Sequence, residues 1–185
     1  MPHPIIRLHD CPPRPWKNGL GRTREIAVHP PAAGMDDFLW RVSIAEVGSA
    51  APFSSFPGID RTIALLDGEG FTMTLDDGRT HALTAPCEPF AFPGEAQVAV
   101  RLAGGPTRDF NLMVRRAQAR GGLQVRREPG EYRPDPAVAL VYCARGAIDT
   151  EAGRLHAGDA WQPDGSRLVL RDEAIALVVR IMPAA

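Results

Sequence analysis

The chain has 185 residues, of which 44% are hydrophobic and 23% charged, with a formal net charge of −1. That length suits one continuous core or two small lobes, and the composition is that of a globular rather than a disordered protein. The balanced charge argues against a nucleic-acid partner, and the apolar runs are too short to span a bilayer as helices.

Eighteen Pro and eighteen Gly cut the chain into short pieces rich in Val, Ile, Leu, Thr and Phe, the pattern of many short strands joined by tight turns. Residues 38–47 alternate as a strand should, with Trp40, Val42 and Ile44 on one face and Arg41 and Ser43 on the other. Further strands are expected over residues 61–66, 71–75, 80–83, 90–92, 96–102 and 110–114. Asp77-Gly78 makes residues 76–79 a hairpin turn. Residues 114–121 have room for a turn or two of helix at most. The polar, Gly-ended stretch 115–122 reads as the connection between two lobes.

Beyond it, strands are expected over residues 137–142, 147–150, 167–170 and 174–181, with a turn at 151–154. The order strand, Gly, strand, turn, strand, Pro or Gly in residues 65–94 recurs weakly in residues 140–163. Two such units make a jelly-roll sandwich or barrel. The fold class is therefore all-β with little helix. The expected division is 1–116, an N-terminal segment plus the pocket-bearing first lobe, and 117–185, a smaller second lobe, the two sharing one compact unit. The first lobe carries more polar residues within its strands, so the pocket is expected there.

Cys11, Cys87 and Cys143 are scattered, with no Cys-x-x-Cys pair, and read as reduced, buried thiols. The opening residues hold Arg7 and His9 and lack a signal-peptide core, so a cytoplasmic location is expected. The five histidines, His3, His9, His29, His81 and His156, form no His-x-His pair. No metal or other cofactor is expected, and His81 and His156 are expected at the surface. There is no Gly-x-Ser-x-Gly elbow. Cys87 has no basic neighbour to activate it, and Gly19-Leu20-Gly21 lacks phosphate-loop spacing.

The chain has 20 Arg but one Lys, Lys17, and two Asn, Asn18 and Asn111. Against that background, adjacent Lys17 and Asn18 suggest functional choice, because an ammonium and a guanidinium are not interchangeable in a tight site. Arg41 and Arg61 lie in or at the start of strands, where a charge is costly unless it is paired or faces a cavity. One reading makes them anion ligands; the other makes them structural bridges to Glu25, Glu46 or Asp60. Asn111 shares a strand face with Asp109 and Met113 and can donate and accept, or it caps a turn. Ser54 and Ser55 either meet a ligand or serve the turn before Pro57-Gly58. Trp40, Phe53, Phe56 and Met113 are candidate apolar walls.

Several motifs together carry a resemblance: residues 15–26 with Trp16-Lys17-Asn18-Gly19, then residues 40–45, 52–61, 65–70, and 109–113. In this order, across nearly the whole chain, they resemble the HutD/Ves family. Leu20 stands where that family has the middle of three glycines. The resemblance implies a double-lobed cupin (bicupin) fold and an association with histidine utilisation. It further implies a binding and limiting role rather than a main catalytic step.

The expectation is a small-molecule-binding protein rather than an enzyme. Its ligand would be a small anionic metabolite such as urocanate or a formimino- or formyl-glutamate. Lys17, Arg41 and Arg61 would meet the carboxylate, while Asn18, Ser43, Ser54 and Asn111 would orient polar groups. One alternative is a metal-free enzyme with Lys17 as acid/base and Glu25 or Asp109 as its partner. Another is a structural or protein-interaction module. No nucleic acid or membrane is expected as a partner, and homodimerisation through a sheet face is left open.

Overall fold

The structure is a computed structural model that describes residues 4–16 and 18–184. It is all-β: the helical piece among the described residues is one 3-10 turn, Leu8–Asp10. No helix is long and apolar enough to cross a membrane. The chain divides into two compact units, residues 12–120 and residues 1–11 with 121–183. Residues 4–11 belong with the C-terminal unit.

The reason is local. β1 (Ile5–Ile6) pairs with the C-terminal strand Ala160–Trp161. The buried Asp159 carboxylate accepts from Arg7 Nη1 at 2.6 Å and from the Leu8 and His156 N–H groups at 3.3 and 3.0 Å. Charge-assisted bonds of this kind stabilise more than neutral ones.

The N-terminal unit contains β2 (Arg14–Pro15), β3 (Gly21–His29), β4 (Trp40–Val47), β5 (Ile59–Asp67), β6 (Phe71–Leu75), β7 (Thr80–Leu83), β8 (Phe90–Pro93), β9 (Val98–Leu102) and β10 (Thr107–Arg115). They form a six-stranded sheet, β2-β3-β4-β10-β5-β8, and a three-stranded sheet, β7-β6-β9. The β6–β7 hairpin turns at Gly78, whose φ of 85° suits glycine. Ile63, Leu65 and Phe92 of the larger sheet pack with Phe71, Met73 and Leu75 of the smaller one.

β11 (Ala119–Arg126) is a strand where a polar connection with room for a helical turn was expected. Its backbone pairs in a sheet, and tertiary pairing overrides its weak, Gly-containing pattern. The C-terminal unit continues with β12 (Gly130–Tyr132), β13 (Val138–Arg145), β14 (Ala147–Thr150), β15 (Gly153–His156), β16 (Ala160–Trp161), β17 (Leu168–Leu170) and β18 (Ile175–Pro183). Its sheets are β1-β16-β13-β18-β11 and β12-β17-β14-β15. Val141, Cys143, Ile148, Leu155, Trp161 and Leu170 fill the space between them.

Candidate functional site

Strand register builds the site. On β4, β10 and β5, Arg41 lies opposite Met113, which lies opposite Arg61; Ser43 lies opposite Asn111, which lies opposite Ile63. Residues opposite one another in a ladder share a face. Arg41, Ser43, Asp109, Asn111 and Arg61 therefore occupy the face of the six-stranded sheet that also carries Ile63, Leu65 and Phe92. On β3, a register shift between Glu25 and Ala27 sets Glu25 opposite Ser43, so Glu25 joins the same polar line. A bulge that re-aims one side chain is a recurring device beside functional sites.

Arg61 is the centre of this line. It is buried at 6% relative exposure. Its Cζ lies over three rings, 5.0 Å from the centroid of Phe53, 5.4 Å from Phe56 and 5.0 Å from Phe92, which offers cation–π attraction. Nη2 donates to Asn111 Oδ1 at 2.9 Å, and Nη1 to the Ser54 carbonyl at 3.5 Å. Nε has no hydrogen-bond partner among the described residues. The carboxylates considered as bridge partners are engaged elsewhere: Glu25 with Arg41, Glu46 with Arg22 and Arg24, Asp60 with Arg116. Burial pulls the Arg61 guanidinium down to about 10, with nearby Arg41 adding to the fall and Asp109 opposing it. It remains a cation at neutral pH.

Asn111 is buried and committed at both ends. Its Oδ1 accepts from Arg61, and its Nδ2 donates to Asp109 Oδ2 at 2.5 Å. It bridges two ionisable groups and is not a turn cap. The other oxygen of Asp109, Oδ1, has no partner among the described residues although Asp109 is 1% exposed. Burial pushes Asp109 up to about 7, against the pull of Arg61 and of the Asn111 hydrogen bond. Arg41 donates from Nε to Glu25 at 2.7 Å and from Nη1 to Ser43 Oγ at 3.3 Å. Arg41 is thus bridged to Glu25, one of its expected partners, and lies on the polar face.

Other expected residues fall differently. Lys17 lies outside the described residues. Asn18 is exposed, and its Oδ1 accepts from the Leu20 N–H at 3.0 Å in a local turn. Gly21, just beyond, pairs with Val47, six residues and about 20 Å along β4 from Arg41. Ser54 is exposed and offers Arg61 its carbonyl, not its hydroxyl. Ser55 Oγ donates to the Glu95 carbonyl at 3.4 Å.

Trp40 points to the opposite face from Arg41, as period-two alternation demands, and stacks on His29 at 5.9 Å. It is not a wall of this site, whereas Phe53 and Phe56 are. Met113, between the two arginines in register, packs with Phe38, Ile59 and Phe56. The third ring, Phe92, went unpredicted. Its only signal is the Phe90-Ala91-Phe92 alternation, which does not reveal that Phe92 pairs with Arg61. His156 is exposed, but His81 is half-buried and stacked on Phe90 at 3.9 Å, with its pKa lowered by burial. Among the described residues, no three His, Cys, Asp or Glu side chains converge as metal ligands would. The polar line holds two guanidiniums and two carboxylates, Glu25 engaged by Arg41 and Asp109 by Asn111, and among the described residues its unpartnered donor is Arg61 Nε, which suits an anion.

Two antiparallel β units, each a pair of sheets around an interior, make a cupin-like β fold. At 6% identity, a cupin barrel protein of Leptotrichia buccalis matches this fold with a TM-score of 0.60, over all of this chain and 98% of that one. The family model of HutD matches residues 8–178, and the chain belongs to the HutD family. It is 34% identical over 176 residues to an uncharacterized 21.2 kDa protein in the hutC 3′ region of Pseudomonas putida, covering 95% of this chain and 92% of that one. It is 42% identical over 109 residues to protein Ves of Escherichia fergusonii, covering 58% of this chain and 56% of the other. The structure of HutD from Pseudomonas fluorescens matches with a TM-score of 0.84 at 31% identity, over 98% of both chains. The HutD family is associated with histidine utilisation.

Proposed function

We propose that the polar line of the N-terminal unit binds a small carboxylate-bearing metabolite of histidine utilisation, of the urocanate or formimino- or formyl-glutamate type. Binding would serve to sense or limit that pathway. The observation that carries this reading is Arg61: a buried cation that, among the described residues, has an unpartnered Nε and no direct salt bridge, with Asp109 reached only through Asn111. An unpaired buried charge disfavours folding by several kcal/mol. A ligand carboxylate supplies the missing acceptor, and guanidinium–carboxylate geometry makes the contact directional. Ser43 and Arg41 extend the polar surface beside it. The Phe53, Phe56 and Phe92 rings favour a flat or methylene-bearing body next to the charge.

Asp109 favours a second reading, a metal-free enzyme acting on the same kind of metabolite. A buried carboxyl raised to about 7 with a free oxygen has the properties of a general acid or base. In this reading Asp109 is a better candidate than Glu25, which is held by Arg41. Calorimetric titration of urocanate and N-formyl-glutamate into the full chain tests the first reading. Saturable binding that is lost in Arg61→Gln, with the melting transition retained, is expected. Absence of binding across these acids, or binding indifferent to Arg61→Gln, rules it out. Incubation of the same mixtures, followed by product analysis, decides between binding and turnover.

A further inference from the structure

The C-terminal unit has a cavity of about 70 Å³ between its two sheets. It lies where the sheets end in β11 on one side and β12 on the other. Val141 and Val178 from the five-stranded sheet and Leu168 and Leu170 from the four-stranded sheet make an apolar floor. The rim is exposed and basic. Arg126, Arg133 and Arg180 stand at it with Asp135 as the opposing charge, and Asp135 is engaged by Arg180 at 2.6 and 3.1 Å. Arg126 lies 5.1 Å over the Tyr132 ring. No carboxylate forms an ion pair with Arg126 or Arg133 among the described residues. An apolar interior with a few convergent polar groups at its mouth is the make-up of a small-ligand site, here on a scale well below that of sites for drug-sized ligands.

From this geometry we infer that the C-terminal unit holds a second ligand site, for a short branched carboxylate. The apolar tail enters between the sheets, and the carboxylate meets Arg126 and Arg133. The volume sets the size of the tail. An apolar cavity about twice as large accepts a benzene ring, so this one admits a tail of about three carbons, as in isobutyrate. Charge complementarity sets the head group: two guanidiniums without acidic partners attract an anion and repel an amine. A tail-less anion such as formate forgoes the floor, and a neutral amide forgoes the rim.

This site shares no residue with the Arg61 line, so the two proposals stand or fall separately. Isobutyrate is titrated into the full chain while the methyl resonances of Leu168, Leu170 and Val178 are followed by NMR. Saturating shifts in the millimolar range are expected for so small a ligand. Isobutyramide and formate are expected to bind much more weakly. The surface double variant Arg126→Gln/Arg133→Gln is expected to weaken binding roughly fivefold. Ala176→Leu, which fills the cavity with its own side chain, is expected to abolish it, and Arg61→Gln is expected to leave it unchanged. Shifts that fail to saturate, or that are equal for the acid and its amide, overturn the inference. So does saturation unaltered by the rim double variant, a result that holds even if Ala176→Leu fails to fold.

Discussion

The two units have the same plan, a pair of antiparallel sheets around an interior, but fill it differently. In the C-terminal unit the interior is Val141, Ile148, Leu155, Trp161, Leu168 and Leu170, with one unpartnered buried side-chain polar atom among the described residues, the Trp161 indole nitrogen. In the N-terminal unit half of the interior is equally apolar, and the other half carries Arg41, Ser43, Asp109, Asn111 and Arg61. Polar groups in that position weaken folding where apolar ones of similar volume would strengthen it. The C-terminal unit shows that this architecture does not need them. Their presence on neighbouring strands, with two atoms unpartnered among the described residues, is the observation on which the proposed ligand site rests.

Breaking this comparison starts at Arg61. Arg61→Gln removes the buried cation and is expected to lower affinity for a carboxylate about a hundredfold, equivalent to about 3 kcal/mol. Calorimetry measures it. The same change removes a buried charge while taking one donor from Asn111 Oδ1, so the N-terminal unit should melt close to the wild type; a large loss of stability would make Arg61 structural.

The counterpart in the C-terminal unit is Asp159, which anchors the N-terminal segment and not a ligand. Asp159→Ala is expected to cost about 2–3 kcal/mol of stability by leaving Arg7 and two N–H groups without their acceptor. Hydrogen exchange should then rise across residues 5–8 and 156–161, with carboxylate binding at Arg61 unchanged.

Asp109 sharpens the contrast through pH. Its folded-state pKa of about 7 lies above the ordinary 3.8. The folded state therefore holds the proton more tightly than the unfolded chain, and stability present at acidic pH declines as pH rises from about 4 to about 7. The same ionisation adds a negative charge beside Arg61, so affinity for an anion is expected to fall as pH rises through 7. Asp109→Asn should flatten both profiles between pH 5 and pH 8, as read by melting and calorimetry; a profile unchanged by the substitution would assign the effect to another group.

The smallest effect is at Leu20. The left-handed backbone of its loop is at Gly19, with φ of 71°, and Leu20 takes no positive φ. Leu20→Gly should therefore destabilise by about 0.5 kcal/mol through unfolded-state entropy and leave the loop intact, measurable by denaturant titration.

Much of the fold was legible in the chain. Alternation marked β4 through β10 and most of β13 to β18, because strands with one buried face must repeat every second residue. The strand β3 was hidden within a motif valued for its Lys, Asn and Gly, and β11 within a polar run. β1 is only two residues long, and its partner β16 lies more than 150 residues away; no local pattern encodes that.

The candidate site divides in the same way. Composition and alternation alone determined an all-β chain of two β units, with Arg41, Ser43, Arg61 and Asn111 as polar residues on otherwise apolar strands. Tertiary structure alone decided their partners. Register brought Asn111 between Arg61 and Asp109, a bulge turned Glu25 toward Arg41, and Phe92 arrived from a strand distant in sequence to complete the rings around Arg61. Local periodicity sets which way a side chain points; only the pairing of distant strands sets what it meets, and so which buried polar atoms are left for a ligand.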